Sequence, residues 1–272
     1  MSGRAILSGL EWLFFGYFIV LYLTYAMLNV LAVIQIRRYL HIAEFTDGDN
    51  VFSSLDLPIS VIVPAYNESA SIVTSIRAML QLEYPLYEIV VVNDGSTDDT
   101  LAKILVEFGM QVFPEAYRNR VACKPIKGVY RSPLYPTLRV VDKVNGGSKA
   151  DAMNAGINAS RYPIFCAVDA DSILQHDSLR RAVRPFLEDP DTVAAGGTVR
   201  IANGCGVHGG FLESVALPRS PLALIQVIEY LRAFLYGRMG WTQLNAVLII
   251  SGAFGVFDKE VVIQAGGYRS DA

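Results

Sequence analysis

Two aspartates, Asp169 and Asp171, stand either side of Ala170 directly after the apolar run Ile164–Val168. Alternate side chains of an extended segment share a side, so both carboxylates face one way. Such a pair suits a hard divalent cation, Mg or Mn, that keeps open positions for phosphate oxygens. An Asp-rich turn in which Ser172 caps the next helix is the plainer alternative. A second polar run, Asn145-Gly146-Gly147-Ser148-Lys149, lets the backbone approach a ligand closely at its glycines. Lys149 opens a helix, where the macrodipole disfavours a cation but welcomes an anionic ligand, so a phosphate contact is expected.

Two further runs, Pro64-Ala65-Tyr66-Asn67-Glu68 and Asn93-Asp94-Gly95-Ser96, also follow apolar, β-branched stretches. Each alone reads as a turn followed by a helix cap. Four together read as a site, because ligands of parallel α/β sheets sit beyond the carboxyl ends of the strands. No Gly-x-x-x-x-Gly-Lys-Ser/Thr loop occurs, and no Gly-x-Gly-x-x-Gly follows the first strand. A P-loop ATPase and a classical dinucleotide enzyme therefore lack their signatures.

The elements that position these runs are legible in the apolar pattern. Strands are expected at 59–63, 88–92, 138–141 and Ile164–Val168, and helices at 69–80, from a Thr97 cap to about 108, at Lys149–Ala159 and at 177–187. Continuous apolar strands separated by helices predict an α/β fold with a Rossmann-like, mostly parallel sheet covered on both faces. Residues 109–137, with Pro114, Pro125, Pro133 and Pro136, read as an irregular insertion, and 193–201 as a strand bent at Gly196-Gly197. Leu224, Ile228, Leu231 and Leu235 line one face of a helix at about 222–236, too short and too charged at Glu229 and Arg232 to span a bilayer. A stripe of this kind ordinarily faces its own domain, and that reading is adopted over a place at the membrane surface.

The chain has 272 residues, 52% hydrophobic and 18% charged, enough for one large domain or two small ones. That composition excludes a disordered chain, a collagen-like repeat and a disulfide mini-protein. A net charge of -3 and a sequence pI near 5.7 offer no basic field for a nucleic-acid backbone, so no nucleic acid is expected as a partner. Cys123, Cys166 and Cys205 are widely spaced and lack metal-ligand grouping, which fits a reducing compartment.

The mean hydropathy of +0.34 is high for a soluble enzyme, and most of the excess lies at 12–36, which holds no charged residue. As a helix this stretch covers roughly 37 Å at about 1.5 Å per residue, enough to cross a hydrocarbon core of about 30 Å. A signal peptide would have a shorter apolar core and a small-residue cleavage site, whereas this run ends in Gln35, Arg37 and Arg38. Only Arg4 precedes it, so the positive-inside bias places the rest of the chain on the cytoplasmic side of a plasma or inner membrane. The expected organisation is a tail at 1–11, a transmembrane helix at 12–36, a linker at 37–57 and one catalytic domain at 58–272.

In order, Ser60-Val61-Ile62-Val63-Pro64-Ala65-Tyr66-Asn67-Glu68, Val91-Val92-Asn93-Asp94-Gly95-Ser96-Thr97-Asp98, Asn145 through Gly156 and Val168-Asp169-Ala170-Asp171-Ser172 resemble the family 2 glycosyltransferases of the GT-A fold. The resemblance covers residues 58–268. The leading apolar helix and Ser251-Gly252-Ala253-Phe254-Gly255-Val256-Phe257 look like the membrane-bound, processive branch of that family. That branch holds poly-N-acetylglucosamine, hyaluronan, chitin-oligosaccharide and cellulose synthases, and the first of these is the most similar.

The resemblance implies that Pro64, Tyr66 and Glu68 border the uracil and ribose and that Asp94 bonds the uridine. It places Lys149 on the diphosphate or ribose, Asp169 by the sugar or ribose and near the metal, Asp171 on a Mg or Mn ion, and Ser251 and Gly252 near the acceptor. The reaction implied is inverting transfer of N-acetylglucosamine or a related hexose from a UDP-sugar donor to a saccharide acceptor, extending a β-linked polysaccharide. Membrane lipid is an expected partner, and an accessory membrane subunit stays open. The family's catalytic base follows a Gly-Tyr-Arg sequence, here Gly267-Tyr268-Arg269, so the base is expected beyond Ala272 and the chain is read as an N-terminal fragment. Two alternatives stand beside this reading: transfer of one sugar to a lipid phosphate, and nucleotide-sugar binding without turnover.

Overall fold

The computed structural model describes residues 3–46, 57–114, 117–244, 246–247 and 249–270. The chain divides into two units, Met1–Val51 with Arg219–Ile249, and Phe52–Pro218 with Ile250–Ala272.

The larger unit is built on an eight-stranded sheet. Its centre holds β1 (Ile59–Ala65), β2 (Tyr87–Asn93), β5 (Leu138–Lys143) and β6 (Ile164–Val168), in the order β5-β2-β1-β6 and all parallel. Helices connect them, as crossovers between parallel strands usually do: α2 (Ile72–Met79), α3 (Thr100–Glu107) and α4 (Lys149–Ala159). α5 (Ser178–Glu188) follows β6. The strands are apolar on both faces because both faces are covered. Val61, Val63, Ile89 and Val91 pack with Ile72, Ile76, Ile104, Phe108, Leu179 and Val183 on one side. Ile62, Val90, Val92 and Phe165 pack with Ala152, Met153, Ala155 and Ile157 of α4 on the other.

Both edges of the sheet are antiparallel, and here the structure departs from the sequence reading. The stretch 109–137 is not wholly irregular: β3 (Gln111–Val112) and β4 (Ile126–Arg131) lie within it and extend the sheet beyond β5. A bulge between Ile126 and Gly128 breaks the alternation that would have betrayed β4. At the other edge, β10 (Phe254–Asp258) pairs antiparallel with β6 and with β7 (Ala194–Gly196). The expected strand at 193–201 is thus only three residues long. It stops at Gly197, where a Cβ would lie 2.1 Å from the Phe254 ring. A small hairpin of β8 (Gly206–His208) and β9 (Phe211–Ser214) follows. The expected Thr97 cap is also replaced: Asp98 Oδ1 accepts from the Thr100 N–H at 3.0 Å and from its hydroxyl at 2.5 Å. The Thr100 hydroxyl bond, above all, pulls the Asp98 carboxyl down to about 2.

The smaller unit holds α1 (Gly3–Thr46), which is longer than the expected 12–36 span and takes in residues assigned to tail and linker. Residues 37–46 contain no Gly or Pro to stop a helix; positions 47–56 of the expected linker lie outside the described residues. Leu7–Arg38 of α1 is long and apolar enough to cross a membrane. With it go α6 (Pro221–Leu231), a π-helical stretch Arg232–Arg238 and α7 (Met239–Gln243). This corrects two expectations. Residues 219–249 group with α1 and not with the 58–272 domain, and the apolar stripe on α6 does not face a core: only Ala223 of α6 is buried, while Ile228 is 62% exposed.

Close packing of α4 on the sheet depends on Gly156, whose Cβ would lie 2.3 Å from Ile62 Cγ2 and 3.2 Å from Val92 Cγ2. Gly156→Ala would gain up to about 1 kcal/mol of helix propensity but overpack a fully buried β-branched neighbour at a cost of about 1–3 kcal/mol. The second effect is expected to win. A lower urea midpoint with unchanged slope is predicted, and a raised midpoint would show that α4 moves away at no cost.

Candidate active site

β1 and β6 are neighbours to which the chain arrives by opposite routes, the place where α/β sheets open a ligand crevice. Their pairing ends at Ile62 and Ala167, whereas β1 and β2 stay paired to Ala65 and Asn93. That is why Pro64 is tolerated in a central strand: residues of its parity turn toward β6, where no ladder bond remains for its missing N–H. Beyond it Tyr66 is 50% exposed. Asn67 takes a left-handed φ of 56°, which Asn adopts more readily than most residues. Its side chain accepts from the Thr97 N–H at 2.9 Å, and its own N–H donates to Ser96 Oγ at 3.1 Å, tying the loop after β1 to the loop after β2. Glu68 turns into the start of α2, accepting from the Ser71 hydroxyl at 2.9 Å.

Asp94 is largely buried and is engaged within the protein. The ammonium of Lys143, with no exposed surface, sits between Asp94 Oδ1 and Asp151 Oδ2, the latter at 2.5 Å, and also donates to the Val144 carbonyl at 2.7 Å. Asp94 Oδ1 accepts the Gly146 N–H at 3.0 Å, and its carbonyl accepts from Asn145 Nδ2 at 2.8 Å. The Gly-Gly loop is thereby laid against the end of β2. Two glycines make the fit: a Cβ on Gly146 would lie 2.2 Å from Asp151 Oδ2, and one on Gly95, at φ 63°, would lie 2.7 Å from Asn145 N.

Lys149 is the first residue of α4, after Ser148, whose side chain accepts from the Asp151 N–H. Its Nζ bonds Asp169 Oδ1 and donates to the Gly252 carbonyl at 2.8 Å. Three residues singled out separately in the sequence therefore meet at one point, with Ser251 adjacent in chain. The Lys149 and Asp169 side chains remain 43% and 36% exposed, so the pair is accessible to a ligand. Asp171 lies exposed in the turn after β6. Among the described residues no three His, Cys, Asp or Glu side chains gather to hold a metal. A hard divalent cation with one or two carboxylates and the remaining positions on phosphate fits Asp171 and Asp169, whereas a dedicated protein cage does not. A cavity of about 280 Å³ lies at the other end of α4, lined by Ser160, Arg161 and Lys259 among others, and includes none of these groups.

Sequence reasoning missed the polar stripe of α4. Asp151, Asn154 and Asn158, at i, i+3 and i+7, are all buried and hold the segment 119–124 and residue 268. Asp151 accepts the Lys124 N–H at 3.0 Å. Asn154 donates to the carbonyls of Ala122 and Tyr268, each at 2.9 Å, and accepts the Tyr268 N–H at 2.8 Å. Asn158 accepts from the N–H groups of Arg120 and Val121. Burial pushes the Tyr268 hydroxyl up to about 12. The signal was present in the helical spacing of three polar residues on a helix otherwise rich in alanine.

Lys143→Met would leave two buried carboxylates without their shared cation, a loss expected to cost about 3–5 kcal/mol. Urea denaturation in detergent solution measures it. A loss below about 1 kcal/mol, the scale of an exposed pair, would show that water already satisfies both carboxylates.

The comparisons with known proteins bear on this arrangement. The model of glycosyl transferase family 2 matches residues 60–116 and 124–257, which takes in all four strand-end runs. Poly-beta-1,6-N-acetyl-D-glucosamine synthase of Staphylococcus epidermidis is 29% identical over 214 residues, covering 78% of this chain and 42% of that protein. The enzyme of the same name from Staphylococcus aureus strain COL is 28% identical over 215 residues, with the same coverage. The chain thus spans less than half the length of these relatives. Among solved structures, the mannosyltransferase PcManGT from Pyrobaculum calidifontis, in complex with GDP-Man and Mn2+, superposes with a TM-score of 0.54 at 20% identity over 90% of this chain and 60% of that one. That likeness speaks to the fold, the GT-A fold. With the family match spanning most of the chain and every strand-end run inside it, the protein belongs to glycosyl transferase family 2.

Proposed function

We propose that the protein transfers N-acetylglucosamine or a closely related hexose from a UDP-sugar to the end of a growing β-linked polysaccharide, with inversion at the anomeric carbon. The observation that carries this reading is the meeting of Lys149, Asp169 and Gly252. It joins the loop suited to phosphate, the carboxylate after β6 and the strand start assigned to the acceptor. The names of the staphylococcal relatives support the sugar and the polymer.

In this reading Tyr66 and Pro64 flank the base, with Glu68 near the ribose. Asp94 keeps Oδ1 on Lys143 and Gly146 and offers Oδ2 to the uridine. Asp171, with Asp169, holds Mg or Mn, which when bound offsets negative charge on the diphosphate. Lys149 exchanges part of its bond to Asp169 for the diphosphate, so a cation stands where the leaving group gains charge. Ser251 and Gly252 orient the acceptor sugar. Asp258 and Glu260 do other work: Asp258 Oδ1 accepts the Val261 N–H at 2.9 Å, capping α8 (Lys259–Gln264), and Glu260 clasps Arg120 through two bonds of 2.6 and 2.8 Å. α1 anchors the protein in a plasma or inner membrane, with the catalytic unit in the cytoplasm.

Calorimetry with UDP and Mn or Mg should show binding that falls by about 10-fold or more in Asp171→Asn, the scale of a disturbed metal site. Equal affinity in the variant, or tight binding in excess chelator, would refute the metal role. Membranes carrying the full-length protein should build polymer from radiolabelled UDP-N-acetylglucosamine, and incorporation from a different UDP-sugar instead would reassign the donor. Protease added outside intact cells should leave 58–272 uncut; cleavage there would reverse the topology.

A further inference from the structure

We infer that residues 221–244 lie in the membrane, docked on α1 with their outer face against lipid acyl chains. The inference rests on the reading of α1 as membrane-spanning, and the packing within this unit then fixes the depth. Along the apolar stretch Leu7–Arg38, Leu28 and Ala32 are buried, at 6% and 0% exposure. They are covered from α7: a Cβ on Gly240 would lie 2.7 Å from the Leu28 carbonyl oxygen, so the two backbones approach as small residues allow between membrane helices. Further along, Gln243 Nε2 donates to Gln35 Oε1, a pairing of amides that suits a poorly hydrated site.

Leu28 lies ten residues before Arg38, roughly 15 Å along a helix, or about half of a hydrocarbon core of about 30 Å. Gln35 lies close to the Arg37-Arg38 end. With Arg37 and Arg38 at the membrane face, a helix touching α1 from Leu28 to Gln35 lies inside the bilayer that α1 crosses.

The segment has the properties that hydrocarbon demands. It is helical without a break from Pro221 to Gln243, so its backbone groups bond internally, the π-helical stretch included. Its outward side is apolar at Leu222, Ile225 and Ile228, with Trp241 and Leu244 near the far end, all exposed. The charges on it are matched locally. Arg232 bonds Glu229 at 2.9 Å, and the Arg238 guanidinium stands 4.3 Å over the Phe234 ring, local partners that lower the cost of ionisable groups in a membrane. An aqueous protein domain would bury this stripe; here lipid covers it.

The chain's two tryptophans, Trp12 and Trp241, allow a direct test. Single-tryptophan variants Trp12→Phe and Trp241→Phe, reconstituted in phosphatidylethanolamine and phosphatidylglycerol bilayers, are read with lipids brominated near the headgroup or near mid-chain and with aqueous iodide. Trp241 should lose most of its emission to brominated lipid and little to iodide. If Trp12 is quenched by lipid while Trp241 answers only to iodide, the proposal falls and the anchor stands. If neither is quenched by lipid, the anchor reading falls and the proposal with it. Gly240→Leu should move Trp241 toward the shallower quencher while Trp12 is unchanged, and an unchanged Trp241 depth would overturn docking at Leu28.

Discussion

A single ammonium group with no exposed surface, that of Lys143, organises the site. It lies between the carboxylates of Asp94 and Asp151, and those three residues belong to the end of β5, the loop after β2 and the first turn of α4. Taking these charges out of water costs several kcal/mol per ion, which their attraction only partly offsets. What the arrangement secures is geometry. With Asp94 fixed, its remaining bonds draw Asn145 and Gly146 against β2. With Asp151 fixed, α4 begins at one place only, and Lys149, two residues earlier, is aimed at Asp169. The bare glycines at 95 and 146 follow from the same constraint, since each admits a neighbour where a Cβ would collide.

α4 serves the site through two faces of different chemistry. Its small residues, Ala152, Ala155 and Gly156, let it settle on Ile62 and Val92, which keeps its N-terminus level with the strand ends. Its buried polar residues grip 119–124 and Tyr268. A lone helix N-terminus would be a generic anion site. Here the preceding loop is pinned by Asp94 and the helix itself is pinned along its length, so the Lys149 ammonium is held in place before a ligand arrives. In the proposed reaction, charge held this way would meet the leaving diphosphate at a small reorganisation cost.

Much of the fold was legible in the order of residues because each parallel strand is buried on both faces and so is continuously apolar. α4 and β6 have the expected limits, since Ser148 caps the one and Pro163 and Asp169 bound the other. The candidate site was legible for a related reason: in a parallel sheet the residues that follow each strand are adjacent in sequence to an easily recognised run. The four runs were therefore visible before their meeting was. The family model spans them as a set.

What the tertiary structure alone decided depends on partners distant in sequence. β4 carries a bulge and makes sense only against β5. Lys143 falls beyond the strand expected at 138–141, yet it is the buried end of β5, because its two carboxylate partners come from positions 94 and 151. The stripe on α6 has the period of a helix facing a core, and period alone says only that one side is apolar. Which apolar surroundings meet it depends on the neighbour, and the neighbour of its continuation is α1, some two hundred residues earlier. Local composition determines what a segment can bury; only long-range packing determines against what.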